Sequence, residues 1–146
     1  MKEELEQKLI NEFPVELGII NGNFPPLTHS LMSFGCECRD GWFDIIYNCL
    51  KGIKEFNNTF LKNPDDYKIA VMQIKEKYGT LRIYTNYSYD EIDKLIEDAT
   101  KLSAKTCEVC SSIENVYQTK FLTKSPVGWI QTLCEKCHNK LEGEVK

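Results

Sequence analysis

Apolar residues recur at helical spacing in the first half of the chain. In residues 2–13 they lie three or four positions apart, and Pro14 ends the pattern because proline lacks the backbone N–H that a helix needs. In residues 41–57 they form a wide stripe after Asp40, which can cap a helix. The sequence therefore predicts two helices, the second buried against a sheet. Residues 14–38, with several Asn, Gly and Pro, are predicted to be irregular.

Strict alternation follows in residues 69–76 and 81–87, on either side of the turn sequence 77–80. This pattern predicts a β-hairpin. Whether the loop has two or four residues, the pairing register is the same. It sets Ile74 opposite Ile83, Gln73 opposite Tyr84, and Lys75 opposite Arg82. A slip by one residue would set Ile74 against Arg82, so the hydrophobic pattern selects the first register.

The two faces of this hairpin differ in chemistry. The predicted core face carries Met72, Ile74, Leu81 and Ile83, and the other face carries Gln73, Lys75, Arg82, Tyr84 and Asn86. Lys75 and Arg82 oppose each other directly, which destabilises a sheet unless something compensates the two charges. Two explanations stay open. An anion binds between them, or the side chains turn to solvent and to Glu76 and Asp90.

A third helix is predicted over residues 88–105. Ser88 and Glu91 fit a capping box, and the apolar residues behind them keep helical spacing. This helix leads directly into the most specific motif of the chain, Cys107-x-x-Cys110, which is followed after 23 residues by Cys134-x-x-Cys137. Four thiolates at this spacing can close a tetrahedral structural zinc site. Such a site leaves no position for water or substrate, so it stabilises a fold and performs no chemistry.

The order of elements around these cysteines predicts a small zinc module. Strands at 116–122 and 129–133 would enclose a loop at 123–128, and a helix at 135–144 would carry the second cysteine pair at its start. This order is treble-clef-like, and without the helix it would be a zinc ribbon. We therefore expect an α+β core domain at 1–105, with helices packed on a hairpin or antiparallel sheet, followed by a C-terminal zinc module at 106–146.

Three alternatives to this zinc site stay open from sequence. His138 could replace Cys137 as the fourth ligand, an iron–sulfur cluster also uses four cysteines, and a dithiol redox centre uses one C-x-x-C pair. Cys36 and Cys38, with His29 nearby, could form a second metal site, although packing as small hydrophobes is the commoner role of free cysteine. Cys49 lies on the apolar stripe of the second helix, which indicates a core position.

Composition narrows the class of protein. The chain of 146 residues is 42% hydrophobic and 27% charged, which is typical of a globular protein with a core, and no apolar run is long enough to span a membrane. Seven cysteines without an apolar N-terminal signal indicate a reducing compartment, so we expect a cytoplasmic protein. The net charge of −4 argues against binding duplex nucleic acid through a general positive field, so any anion site must be local.

The sequence also offers candidate ligand-binding residues. Lys75 and Arg82 are candidate phosphate partners, and exposed aromatic rings could stack on bases. The candidate stacking residues are Trp42, Tyr84, Tyr87, Tyr89, Tyr117 and Trp129. No P-loop, dinucleotide fingerprint, nucleophile elbow or HExxH motif occurs, so we do not expect an enzyme.

Several of these motifs together resemble a group of small phage and prophage proteins, over about residues 30–140 and in the same order. The matching stretches are GWFDII at 41–46, QIKEKYGTLRIY at 73–84, CEVC at 107–110 and GWIQTLC at 128–134. The resemblance implies a phage accessory role in the host cytoplasm and zinc-binding cysteines, and it implies no particular activity.

These observations lead to one functional expectation with two alternatives. We expect a non-catalytic, zinc-stabilised accessory protein that binds a small anionic nucleotide-like ligand through Lys75, Arg82, Tyr84 and Trp42, and so sequesters a messenger of host defence. The alternatives are a zinc protein that binds nucleic acid and an inhibitor that binds a host protein. A homo-oligomer is compatible with the sequence.

Overall fold

The elements of the fold follow the predicted order. The computed structural model describes residues 1–63, 66–121 and 129–144, with only the backbone at 120, 121, 129 and 142–144. The helices of this part are α1 (Glu3–Glu12), α2 (Phe43–Thr59), α3 (Asp90–Ser103) and α4 (Glu135–Glu144). Its strands are β1 (Cys36–Glu37), β2 (Val71–Lys77), β3 (Thr80–Thr85), β4 (Val116–Phe121) and β5 (Trp129–Cys134). The fold is α+β, as predicted.

The hairpin of β2 and β3 has the predicted register. Ile74 pairs with Ile83, Gln73 with Tyr84, and Lys75 with Arg82. The structure contains the tighter of the two loops, a two-residue turn at Tyr78-Gly79. Both residues have positive φ, 55° and 76°, which is the geometry that matches the twist of a hairpin.

The sheet has a third strand that the hydrophobic pattern did not reveal. β1 pairs in parallel with β2, with Cys36 beside Ile74 and Glu37 beside Lys75, so the strand order is β1-β2-β3. β1 has only two residues, too few for alternation to be visible in a sequence. The rest of residues 14–38 has little regular structure, as predicted, apart from a short 3₁₀ helix at Met32–Phe34.

The predicted core face of the hairpin is confirmed at Ile74, Leu81 and Ile83, which are buried. Met72 is only half-buried, and its neighbour Val71 is fully buried instead. The reason is a bulge between Val71 and Gln73, which shifts the alternation at the start of β2.

One continuous core joins the helices to this sheet. Its buried members from α1, α2 and α3 include Leu9, Ile45, Ile46, Cys49, Leu50, Ile53, Phe56, Ile92 and Ala99. Asn57, the last residue of the range 41–57 predicted for this helix, lies within α2 and is 1% exposed. Its amide donates to Ile69 O and to Glu16 Oε1 and accepts from Ile69 N–H, which ties α2 to the segment before β2.

The predicted capping box at the start of α3 is not formed. The helix begins at Asp90, and the residue before it, Tyr89, makes no side-chain cap. Ser88 lies one position further out, and its hydroxyl donates to the Asp93 carboxylate at 2.5 Å instead of to a backbone amide. No helix in the described ranges is long and apolar enough to cross a membrane.

Candidate metal centre

Four cysteine side chains converge beside α4. The Sγ atoms of Cys107, Cys110, Cys134 and Cys137 all lie within 4.8 Å of one another, and those of Cys110 and Cys134 are 3.6 Å apart. A tetrahedral ion with metal–sulfur bonds of about 2.3 Å requires sulfur–sulfur distances of about 3.8 Å. The four thiols therefore fit a single metal ion with only small adjustments.

The first cysteine pair lies in a tight turn after α3. The backbone N–H of Cys107 donates to Ser112 O at 2.8 Å, and that of Ser111 donates to Cys107 O at 3.0 Å. Ser111 has a φ of 64°, in the left-handed region, which lets the chain fold back on itself. This turn points the thiols of Cys107 and Cys110 towards the same point.

The second pair lies where β5 becomes α4. Cys134 is the last residue of β5 and Cys137 lies in the first turn of the helix, as predicted. Burial raises the pKa of Cys134, but hydrogen bonds from the backbone N–H of Cys137 and from the neighbouring thiols outweigh it and lower this pKa to about 7. A thiolate held by a helix N-terminus is ready to bind a cation.

The geometry favours a single metal ion held by the four cysteines over the alternatives that the sequence left open. Cys137 belongs to the four-thiol group, and the ring of His138 instead contacts Tyr117, with centroids 5.5 Å apart. Four converging thiols, rather than one pair, favour a metal over a dithiol redox centre. Thiolates of an iron–sulfur cluster bind different irons and diverge, whereas these converge on one point.

The first cysteine turn is attached to the core domain by Gly41 and Trp42. Gly41 N–H donates to Glu108 O at 2.8 Å, and the indole N–H of Trp42 donates to Thr106 O at 2.8 Å. A Cβ on Gly41 would lie 2.2 Å from Cys107 O, so only glycine permits this approach. Trp42 is 0% exposed, which corrects its prediction as a ligand-stacking residue. Its buried ring therefore lies between the core and the first cysteine turn.

A buried carboxylate reinforces this junction, and sequence reasoning missed it. Glu108 is 1% exposed, accepts a hydrogen bond of 2.6 Å from Gln131 Nε2, and lies 3.5 Å from Arg39 Nε. Burial raises its pKa to about 7 against the opposing effect of the Arg39 guanidinium, and the Glu76 carboxylate adds to the increase. In the sequence, Glu108 lies in a loop between two cysteines. A residue in so short a loop belongs to no periodic apolar pattern, so its burial could not be predicted.

The tip of the hairpin forms the second connection between the domains. The hydroxyl of Thr132 donates to Gly79 O at 2.5 Å, and a Cβ on Gly79 would meet the side chains of Gln118, Ile130 and Thr132 at 3.2 Å. One face of the β4–β5 hairpin thus covers the Tyr78-Gly79 turn. The cysteine module, residues 106–146, is thus in direct contact with the β2–β3 hairpin.

The outer face of the β2–β3 hairpin brings together three of the four predicted ligand residues. Lys75 and Arg82 are cross-strand neighbours and half-buried, and Tyr84 is 44% exposed. The Lys75 ammonium lies 5.4 Å from the centroid of the Tyr84 ring. Within the described part of the chain, neither cation has a carboxylate within 4.0 Å, so the alternative in which they pair with Glu76 and Asp90 is not observed.

The remaining candidates have other positions. Cys36 and Cys49 are buried in the apolar core and Cys38 packs against it, as expected for small hydrophobes. His29 is exposed beside Thr28, and among the described residues only the four-cysteine cluster has metal-binding spacing. Tyr87, Tyr89 and Tyr117 are partly exposed, whereas the Trp129 side chain and the predicted loop at 123–128 lie outside the described residues.

Comparison of the chain with models of known protein families, with curated proteins and with solved structures found no match.

Proposed function

We propose that this protein is a non-catalytic, zinc-stabilised binding protein, and that the outer face of its β2–β3 hairpin binds a phosphorylated, nucleotide-like ligand. The observation that carries the proposal is the pair of opposed cations, Lys75 and Arg82, beside the exposed ring of Tyr84. The resemblance to phage accessory proteins adds the setting, which is the cytoplasm of an infected host. Sequestering a nucleotide messenger of host defence is an activity that needs binding and no catalysis.

Zinc is the metal that best suits the four cysteines. A closed set of four thiolates around one ion is one of the usual structural zinc arrangements, and a structural zinc needs no open position. The cysteine module contacts Gly41, Trp42 and Gly79 directly. Through these contacts the metal would support the β2–β3 hairpin that carries the proposed binding face. It would hold the hairpin tip in place from a distance and take no part in contacting the ligand.

The charges on the hairpin face support an anionic ligand. Two cations that oppose each other in a sheet destabilise it, by about 0.2 to 1 kcal/mol for a typical cross-strand pair. A phosphate between Lys75 and Arg82 would remove this repulsion and accept charge-assisted hydrogen bonds from both side chains. Glu37, the nearest acid by register, accepts instead from Gln73 Nε2 at 3.0 Å.

Tyr84 supports a ligand that also contains a base. Its ring is presented on the same face, and the Lys75 ammonium lies over it at 5.4 Å from the centroid. A base that stacked on this ring would displace the ammonium from the ring towards the phosphate. One movement of Lys75 would thus serve both parts of a nucleotide.

The shape of the surface favours a second candidate, single-stranded nucleic acid. The four cavities near Cys36, Cys49, Tyr89 and Phe60 are lined by other residues, and Tyr84 is 44% exposed on the outer face, so the ligand would lie on an open sheet. An open sheet with cations and an aromatic ring can hold one nucleotide unit of a longer strand. The two candidates differ in the number of phosphate contacts, and hence in salt dependence.

Calorimetry with the zinc-loaded protein tests the proposal. Titrants are cyclic dinucleotides, linear nucleotides and a single-stranded oligonucleotide, each at 50 and 200 mM salt. We expect Arg82→Ala to weaken binding of the responding ligand by about 1.5 to 3 kcal/mol, the range for hydrogen bonds to charged groups. A free nucleotide should lose little affinity in higher salt, whereas an oligonucleotide should lose much more.

The matched control is Lys101→Ala, which removes an exposed cation on α3 that pairs with Glu97 at 2.6 Å. Like Arg82→Ala, this substitution removes one positive charge, but it leaves the hairpin face unchanged. Equal losses in both variants, or no binding of any nucleotide or oligonucleotide by the wild type, would contradict the proposal. The inhibitor of a host protein would then be the better explanation of this face.

A further inference from the structure

A second surface, formed by three tyrosines near the start of α3, has a different chemistry. Tyr67, Tyr87 and Tyr89 line a cavity of about 230 Å³ together with Leu61 and Asp66. The tyrosines are 77%, 48% and 42% exposed, so their rings are accessible, and Leu61 is buried beneath them at 9%. We propose that this tyrosine cavity binds an organic cation, either a quaternary ammonium or a guanidinium group.

The rings are arranged as the walls of a site. The centroids of Tyr67 and Tyr87 lie 6.0 Å apart with an angle of 44° between the planes, so the two rings do not stack face to face. Tyr89 is fixed from behind by the buried ring of Phe56, at 5.1 Å. The face of an aromatic ring carries negative electrostatic potential and attracts a cation within about 6 Å.

The charge at the cavity also suits a cation. The Asp66 carboxylate accepts a hydrogen bond from the backbone N–H of Asn63 at 2.9 Å. No lysine or arginine in the described ranges lies within 4.0 Å of it. The nearby ammonium of Lys68 is directed to the backbone carbonyls of Asn57 and Leu61. An anionic ligand would be repelled here, whereas a cation would gain both the carboxylate and the rings.

Other cations of the protein already occupy other aromatic rings. Among the described residues, lysine ammonium groups lie over Phe13, Phe43, Tyr47, Tyr78 and Tyr84. The three rings of the tyrosine cavity have no such partner in that part of the chain. The volume, below the 300 to 1,000 Å³ of sites for drug-sized ligands, suits one headgroup or one side chain.

A pair of isosteres tests the proposal directly. Choline and its neutral carbon analogue 3,3-dimethylbutan-1-ol have the same shape and differ in charge. In two-dimensional NMR titrations of the zinc-loaded protein, we expect choline to shift the ring signals of Tyr67, Tyr87 and Tyr89, and the neutral alcohol to leave them in place. A parallel titration with an arginine-containing peptide and its citrulline counterpart distinguishes a polypeptide side chain from a small free cation as the source.

Substitutions show whether binding of the cation depends on the aromatic rings or only on their apolar surface area. Tyr87→Leu should weaken choline or peptide binding about three- to thirtyfold, the factor for loss of one cation–π contact, whereas Tyr87→Phe should keep it. Tyr117→Leu, which removes a ring of similar exposure from β4, should leave the titration unchanged. Equal shifts by choline and the neutral alcohol, or equal losses in Tyr87→Leu and Tyr117→Leu, would overturn the proposal. These titrations use no nucleotide, so their outcome is independent of the hairpin face.

Discussion

The core domain and the cysteine module are held together by different physics. The core domain buries twenty apolar side chains in one cluster, from Leu9 to Ala99. The buried apolar cluster of the module, in the part that the structure describes, consists of Leu133 with Cys107 and Cys134. The other buried residues of that part are polar, namely Thr106, Glu108, Thr119, Gln131 and Thr132. The described residues of the module therefore bury far less apolar surface than those of the core domain.

The core domain and the cysteine module are therefore expected to be stabilised in different ways. Burial of apolar surface contributes about 25 cal/mol per Å² and needs many large side chains, which α2 and the sheet provide. Because the described part of this module of about forty residues has so few of them, we expect it to need a metal or another cross-link in order to fold. On this expectation, the hydrogen bonds from Gly41, Trp42 and Thr132 connect a metal-dependent part to a metal-independent one.

Loss of one metal ligand should have the largest effect. We expect Cys107→Ser to abolish tight metal binding and to unfold the module, because the binding free energy of about 10 to 16 kcal/mol for a structural zinc is also folding free energy. The helices of the core domain should stay folded. Hydrogen exchange checks this, with loss of protection in β4, β5 and α4 and retained protection in α2.

The control for this variant is Cys49→Ser, which changes a buried cysteine of the core cluster that lies far from the four thiols in sequence and packing. It should lower the stability of the core domain and leave the metal content at one ion per chain. Retained protection of β5 in the metal-free Cys107→Ser protein would show that the module folds without metal, and the contrast between the two domains would be wrong.

Gly41→Ala should have the next largest effect, because it acts on the junction. The new Cβ would meet the backbone of Cys107 and Glu108 at 2.2 to 2.7 Å, and backbone atoms cannot turn aside as a side chain does. Overpacking of about 1 to 3 kcal/mol and loss of one hydrogen bond of about 1 kcal/mol give an expected loss of about 2 to 4 kcal/mol. Thermal unfolding should then separate into two transitions.

Gly52→Ala provides the comparison for that measurement. The nearest atoms that its Cβ would meet belong to the Leu95 side chain, at 2.8 to 3.5 Å, and alanine favours the helix by about 1 kcal/mol. We expect stability within about 1 kcal/mol of the wild type and a single transition. If both glycine variants behave alike, close backbone approach at Gly41 is not what connects the domains.

Trp42→Phe should cost less and should affect both domains together. Phenylalanine keeps most of the buried ring but leaves the carbonyl of Thr106 without its donor, which costs about 1 to 3 kcal/mol for a buried group. Ile46→Val, a change of one methyl group in α2, should cost about 0.5 to 1.5 kcal/mol. Urea unfolding, followed separately by probes in α2 and in β5, distinguishes the two variants. Only Trp42→Phe should shift the urea concentration at which β5 is half unfolded.

The sequence predicted best what is periodic or paired at fixed spacing. The helices α1 to α3, the register of β2 and β3, and the position of Cys134 and Cys137 at the start of α4 follow from apolar spacing and the C-x-x-C motif. These signals are local, because each depends on residues a few positions apart.

What the sequence did not predict depends on distant contacts. Trp42 was taken as a possible ligand surface because an aromatic residue near a helix start has the same signature whether it is exposed or buried, and only its contact with Thr106 decides. The burial of Glu108 depends on Arg39 and Gln131, which lie far apart in the chain. The tyrosine cavity likewise needs Tyr67, before β2, to meet Tyr87, after β3.

The smallest stability effect is expected on the hairpin face, and it sharpens the contrast between structural and binding residues. Arg82→Ala removes a half-buried cation that opposes Lys75 and has no carboxylate within 4.0 Å among the described residues. The free energy of unfolding should therefore stay within about 0.5 kcal/mol of the wild-type value, or rise slightly because the like-charge repulsion is relieved. Trp42→Phe, which leaves the buried carbonyl of Thr106 without its donor, should lose clearly more. If Arg82→Ala lowered stability as much as Trp42→Phe, the arginine would be part of the fold, and its availability for a phosphate would be lost as an argument.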